Sequence, residues 1–167
     1  MQTPDPVRAT NPEGGDLTPH PEGQYLAQCV DSIDLGERAE EYPGRPKRLI
    51  QKCAIVFRTG EQNDNGDFID IAKEYSVSMF ELATLRQQLE SWRGKKYTDD
   101  EADAGVPLEK LVGVFALITV EHKKSAKGRT YGNILSITPI PKQMKTACVD
   151  YRADYERAAY WQERKDE

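Results

Sequence analysis

Alternation of apolar and polar residues dominates the first half of the chain. Over residues 25–35, Tyr25, Ala27, Cys29, Ile33 and Leu35 recur at a period of two, the spacing that places side chains on one face of a strand. Asp31 interrupts that face, as a bend or bulge would, and Gly36 ends the run. Pro43, Gly44 and Pro46 mark residues 37–47 as a loop. A second strand is expected over 48–58, rich in Ile, Val and Phe. A third is expected over 68–78, with Ile69, Ile71, Tyr75 and Val77 on one face. The Asn65-Gly66 pair between them is a hairpin signal. The period then changes. Met79, Leu82, Leu85, Leu89 and Trp92 recur every three or four residues and predict an amphipathic helix over 79–92. Ser78 and Glu81 have the spacing of a capping box, and Gly94 is a stop. Residues 98–107 read as an acidic loop, and 108–111 as a helical turn. Further strands are expected over 112–122, buried on both sides, and over 130–138, where Pro139 and Pro141 end the ladder. A terminal helix is expected over 146–164, with Tyr151, Tyr155 and Ala159 at helical spacing.

Strand, strand, strand, helix, strand, strand is the order of a five-stranded Greek-key barrel of the OB type, mainly β, with one helix between strands three and four. Met79, Leu82, Leu85 and Leu89 would then face inward as a plug. Residues 1–22 hold five of the ten prolines and almost no large apolar residue, so they read as a disordered arm. The expected organisation is this arm, a barrel over 23–142, and a helical tail over 143–167.

Composition changes this picture little, and charge more. The 167 residues carry a formal net charge of -5, which disfavours a broad electrostatic footprint on duplex DNA but permits a local basic groove. Three cysteines without short spacing fit neither a disulfide framework nor a zinc ribbon; Cys29 and Cys53 read as buried reduced thiols. Two histidines leave little for triad or zinc chemistry, no phosphate-binding loop is present, and no apolar run is long enough for a membrane span. The polar, proline-rich start is unlike a signal peptide, and a cytoplasmic protein is expected. Neither cofactor nor catalysis is expected. The acidic residues Asp99, Asp100, Glu101 and Asp103 are either a solvated loop or a site for a hard cation.

The sharpest candidate is the basic loop between the last two strands, where Lys123, Lys124, Lys127 and Arg129 fall within seven residues. Such a tip suits a phosphate backbone. The first loop adds Lys47 and Arg48, mixed with acids. Lys52 and Lys73 lie in mid-strand, where charge must face solvent or ligand. Phe57, Tyr75 and Tyr131 are candidate stacking rings, and each could instead be a core ring, Phe57 above all. Tyr151, Tyr155 and Trp161 on the terminal helix would suit a partner or a second copy. On that reading, deleting 143–167 removes partner capture and leaves the barrel working.

Several segments resemble bacteriophage single-stranded-DNA-binding proteins of the OB type. They are Leu111-Val112-Gly113, Ala116 to His122, Gly128-Arg129-Thr130-Tyr131-Gly132-Asn133-Ile134 and Ile137-Thr138-Pro139. Lys73 to Ser78, with Leu85, Leu89, Glu90 and Trp92-Arg93-Gly94-Lys95, looks like the same group. The resemblance spans about residues 22–142. It implies protection or delivery of single-stranded DNA during phage replication or recombination, in the host cytoplasm, with other replication or recombination proteins as partners. The acidic loop and aromatic tail have no match in it. The competing readings are a protein-interaction module built on the tail and, third, a metal-dependent nuclease at the acidic residues.

Overall fold

The computed structural model describes residues 18–40 and 43–166. Five strands form one antiparallel sheet: β1 (Gly23–Glu40), β2 (Arg48–Arg58), β3 (Ile71–Ser76), β4 (Phe115–Lys124) and β5 (Thr130–Thr138), in the order β3-β2-β1-β4-β5. Helix α1 (Thr84–Arg93) and the short α2 (Asp99–Ala104) separate β3 from β4, and α3 (Ala159–Asp166) lies near the end.

β1 organises the sheet. Its first six residues pair with β4, and from Gln28 onward it pairs with β2. The register slips between Cys29 and Asp31 and again between Asp34 and Gly36. One extra residue inverts side-chain parity. Ala27 and Cys29 therefore point to one face, with Phe57 and Ile55, while Ile33 points to the other, with Ala54 and Val56. The interruption at Asp31 is this bulge.

The first face carries the main core. Leu85, Leu89 and Trp92 of α1 pack on Phe57, Ile118 and Ile137. The Trp92 indole N–H donates to the Phe115 carbonyl at 3.0 Å. α1 begins later than its sequence periodicity suggests. Ser78 Oγ accepts from the Phe80 N–H in a tight turn, so Phe80 and Leu82 stay exposed, and Leu82 is no part of an inward plug. The capping box forms instead at Thr98 and Glu101, making the expected acidic loop the first turn of α2.

The expected closed barrel is not formed. β3 and β5 are the two free edges of an open sheet, and no backbone ladder joins them. Side chains fill the gap. Lys73 Nζ donates to the Ile134 carbonyl at 3.0 Å, and Ile71 and His20 crowd Gly132, where an added Cβ would meet both at 3.3 Å.

The second face is covered by the C-terminal segment, which is not the single helix expected. It runs through 3-10 turns at Lys142–Ala147 and Arg152–Asp154 and is α-helical only in α3. Tyr151, Tyr155 and Trp161 lie half-buried on Val30, Ile33, Leu35, Ala54 and Val56. Buried polar groups fix the path. Gln28, fully buried, donates to Asp150 at 3.0 Å and accepts the Tyr151 N–H at 2.6 Å. Asp31 accepts two bonds from Arg157, at 2.7 and 2.8 Å, and one from the Tyr155 hydroxyl at 2.8 Å. Gly60, at φ +95°, leaves room for the Tyr151 hydroxyl; a Cβ there would approach it to 2.5 Å.

Burial raises the affinity of the Asp31 carboxyl for its proton. The bonds from Arg157 and Tyr155 outweigh burial and hold it below the usual carboxylate range. Its contribution to stability is therefore complete above the ordinary carboxyl pKa of about 3.9 and is lost as pH falls through the lower folded-state value. Asp31→Asn is expected to cost about 2 kcal/mol at neutral pH. Its melting deficit should narrow in acid; thermal melts between neutral and strongly acidic pH check this, and a constant deficit would contradict it.

Burial also pushes the Cys29 thiol up to about 12 and the Cys53 thiol up to about 11. Cys148 is only partly covered. In the native protein a thiol reagent should modify Cys148 quickly and the other two only after denaturation, which peptide mapping of the labelled sites would read directly.

Of the arm expected over 1–22, residues 1–17 lie outside the described residues. Residues 18–22 pack on the sheet. His20 is buried, its ring 2.6 Å from Thr59 Oγ1, and its carbonyl accepts from His122 Nε2 at 2.8 Å.

Candidate nucleic-acid interface

The β4–β5 hairpin owes its shape to the turn over residues 125–129. The Ser125 N–H donates to the Arg129 carbonyl, and the Gly128 N–H to the Ser125 carbonyl, both at 2.8 Å. Gly128 sits at φ +82°, where a side chain would be strained, and Ser125 Oγ accepts the Arg129 N–H at 3.2 Å. This closure sets Lys124 and Arg129 on either side of the turn, with Lys127 at its tip, and all are exposed.

Lys123 stands directly opposite Tyr131 in the ladder, so the ammonium and the ring share one face of the hairpin. Tyr131 is 42% exposed. Glu121 lies 3.8 Å from the Lys123 ammonium, and both are partly solvated, so the pair is weak. Lys73 comes close from the facing sheet edge. Burial lowers its pKa first, and the nearby Lys123 charge adds to that. A cleft of about 360 Å³ runs beside the hairpin, walled by Arg129, Tyr131, Gly132, His20, Ile71 and Tyr160.

The other predicted positions divide. Register puts Lys52 opposite Ser76, toward the far end of β3 from the hairpin. Lys47 and Arg48 lie beyond it, where β2 begins, and both are exposed. Lys52 is held by Glu40 at 3.1 Å and Ser76 at 3.0 Å, and Arg48 lies 3.7 Å from the same Glu40. Register also sets Lys73, opposite Ile55, and Lys52, opposite Ser76, on opposite faces of the β2–β3 ladder, so they do not form one strip.

Two predicted stacking rings are core residues. Phe57 is fully buried, 5.3 Å from the Trp92 ring centre. Tyr75 is buried with its hydroxyl bonded to Gln88. In both cases alternation turns the ring to the α1 side of the sheet. Arg58 is buried, bonded to Asp70 at 2.7 and 2.8 Å, with its guanidinium 4.2 Å from the Phe68 ring centre. Tyr151, Tyr155 and Trp161, expected to meet a partner, are turned onto their own sheet.

Of the α2 acids, Glu101 closes the capping box with Thr98, and among the described residues no three His, Cys, Asp or Glu side chains converge as metal donors. Among the same residues, no helix is long and apolar enough to cross a membrane. Tyr160, which terminal-helix spacing would also present to a partner, instead walls the hairpin cleft, because of how the C-terminal segment folds back. Comparison with models of known protein families finds none that matches the chain, and comparison with curated proteins finds no significant match.

Proposed function

We propose that the chain is an OB-type module that binds single-stranded DNA without base specificity. One observation carries the reading: four cations and no acid occupy residues 122–131, beside an exposed tyrosine, in a chain of net charge -5. Cations that track phosphates and a ring that accepts any base are the two parts such binding requires. The strand order supports the OB assignment, since a first strand shared by both halves of the sheet and a helix between strands three and four belong to that Greek key. Read with the family resemblance, the module would protect or deliver single strands in phage replication or recombination.

On this reading the strand enters at the hairpin. Phosphates lie along Lys123, Lys124, Lys127 and Arg129, a base stacks on Tyr131, and Lys73 continues the path along β3. Stacking on one ring contributes about 1–3 kcal/mol, so Tyr131→Ala should weaken oligo-dT binding roughly 5- to 150-fold. Phe57→Leu should leave affinity unchanged at temperatures where the variant is folded, because its ring is in the core. Fluorescence anisotropy with both variants tests the assignment; equal affinities for wild type and Tyr131→Ala would remove the tyrosine from the site. An oligo-rU arm separates DNA from RNA.

A further inference from the structure

Two apolar features remain unpartnered among the described residues, and they match. The first is a prong between β3 and α1. Phe80 and Leu82 are each 80% exposed, and Glu81 stands between them. The prong is held in shape. Ser78 Oγ fixes the Phe80 N–H at 3.1 Å, the Ala83 N–H donates to the Phe80 carbonyl at 3.0 Å, and Arg86 donates to the Met79 carbonyl at 2.9 Å. Exposing two large apolar side chains on an ordered turn is a feature of interaction surfaces.

The second is a cleft of about 460 Å³ at the other end of α1, walled by Leu89, Trp92, Val114 and Phe115 among others. Its charged lining residues, Arg93 and Lys145, are both cations. Arg93 is shared with Glu101 at 3.3 Å, which leaves Lys145 as the cation better placed to meet a new carboxylate. A molecule's own prong is not among the walls of its cleft. Prong and cleft lie at opposite ends of the ten-residue α1, a separation of about 15 Å along its axis.

We propose that the prong of one copy seats in the cleft of a second, with Phe80 and Leu82 against the apolar walls and Glu81 against Lys145. The occupant follows from charge: an apolar cleft whose charged groups are cations fits a segment carrying two apolar residues around one carboxylate, and this chain presents that segment. The contact is heterologous, so each added copy leaves a prong and a cleft open, and copies join head to tail. The proposal does not depend on DNA binding.

Sedimentation velocity without DNA, up to about 0.5 mM as a small contact requires, tests it. The weight-average mass of wild type should rise with concentration. Phe80→Glu/Leu82→Glu and Val114→Asp/Lys145→Glu should each stay monomeric, yet their equimolar mixture should form a dimer and nothing larger, because one intact prong meets one intact cleft. The exposed charge swap guards against misfolding: Glu81→Lys and Lys145→Glu should each weaken association, and the double variant should restore it. A wild type that stays monomeric throughout, a mixture that does not dimerise, or a double variant that restores nothing would overturn the proposal.

Discussion

Reversing Lys123, Lys124, Lys127 and Arg129 to glutamate should lower affinity for single-stranded DNA at least about a thousand-fold, since phosphate contacts supply essentially all of sequence-independent binding. The loss comes from the site and not from the fold. The four side chains are exposed, and the Lys123–Glu121 pair at 3.8 Å is partly solvated, so its removal costs less than about 1 kcal/mol. The turn is closed by backbone bonds and by Ser125 Oγ, none of which the substitutions touch. Neutral glutamine versions should show an intermediate loss. The same four reversals should leave the melting temperature nearly unchanged, and a variant that melts like wild type and binds like wild type would show that the hairpin is only a solvated turn.

Removing residues 143–167 should destabilise the sheet instead of sparing it. The segment covers Val30, Ile33, Leu35, Ala54 and Val56 with three half-buried aromatic rings. It also supplies the partners of two buried polar side chains, Gln28 and Asp31. Half-buried rings contribute roughly 1 kcal/mol or more each, and an orphaned buried amide or carboxylate costs a further 1–3 kcal/mol. A total of about 5 kcal/mol, the low end of these ranges, corresponds to a fall of about 10–20 °C in melting temperature for a chain of this size. Calorimetry of the truncated chain checks this. An unchanged transition would mean that the segment is a detachable tail, as its sequence suggested.

The reason that tail misled is physical. Tyr151, Tyr155 and Ala159 have helical spacing, but nothing local reveals that Gln28 and Asp31, more than a hundred residues earlier, wait to bond the segment in an extended path. The first strand was legible as a strand, and Asp31 as its point of irregularity. Which face each residue takes beyond it was not, because one bulged residue inverts the parity. The capping-box pattern was also present twice. Ser78 and Glu81 fit it in sequence, yet Thr98 and Glu101 form it, since at Ser78 the hydroxyl closes a local turn and the helix starts at Thr84. In the candidate site, the basic hairpin could be read directly from charge. Exposure of its aromatics could not: Tyr131 lies on the outer face, whereas Phe57 and Tyr75 are drawn inward by Trp92 and Gln88. Alternation assigns residues to a face, and only tertiary packing decides which face is dry.

The salt dependence of wild-type binding tests the central claim most directly. Anisotropy of a labelled oligo-dT, titrated at several salt concentrations, should give log affinity falling linearly with log salt, with a slope near -3 if about four phosphates are neutralised by the hairpin. Absence of binding at low salt, or affinity indifferent to salt, would contradict a phosphate-tracking role for Lys123, Lys124, Lys127 and Arg129.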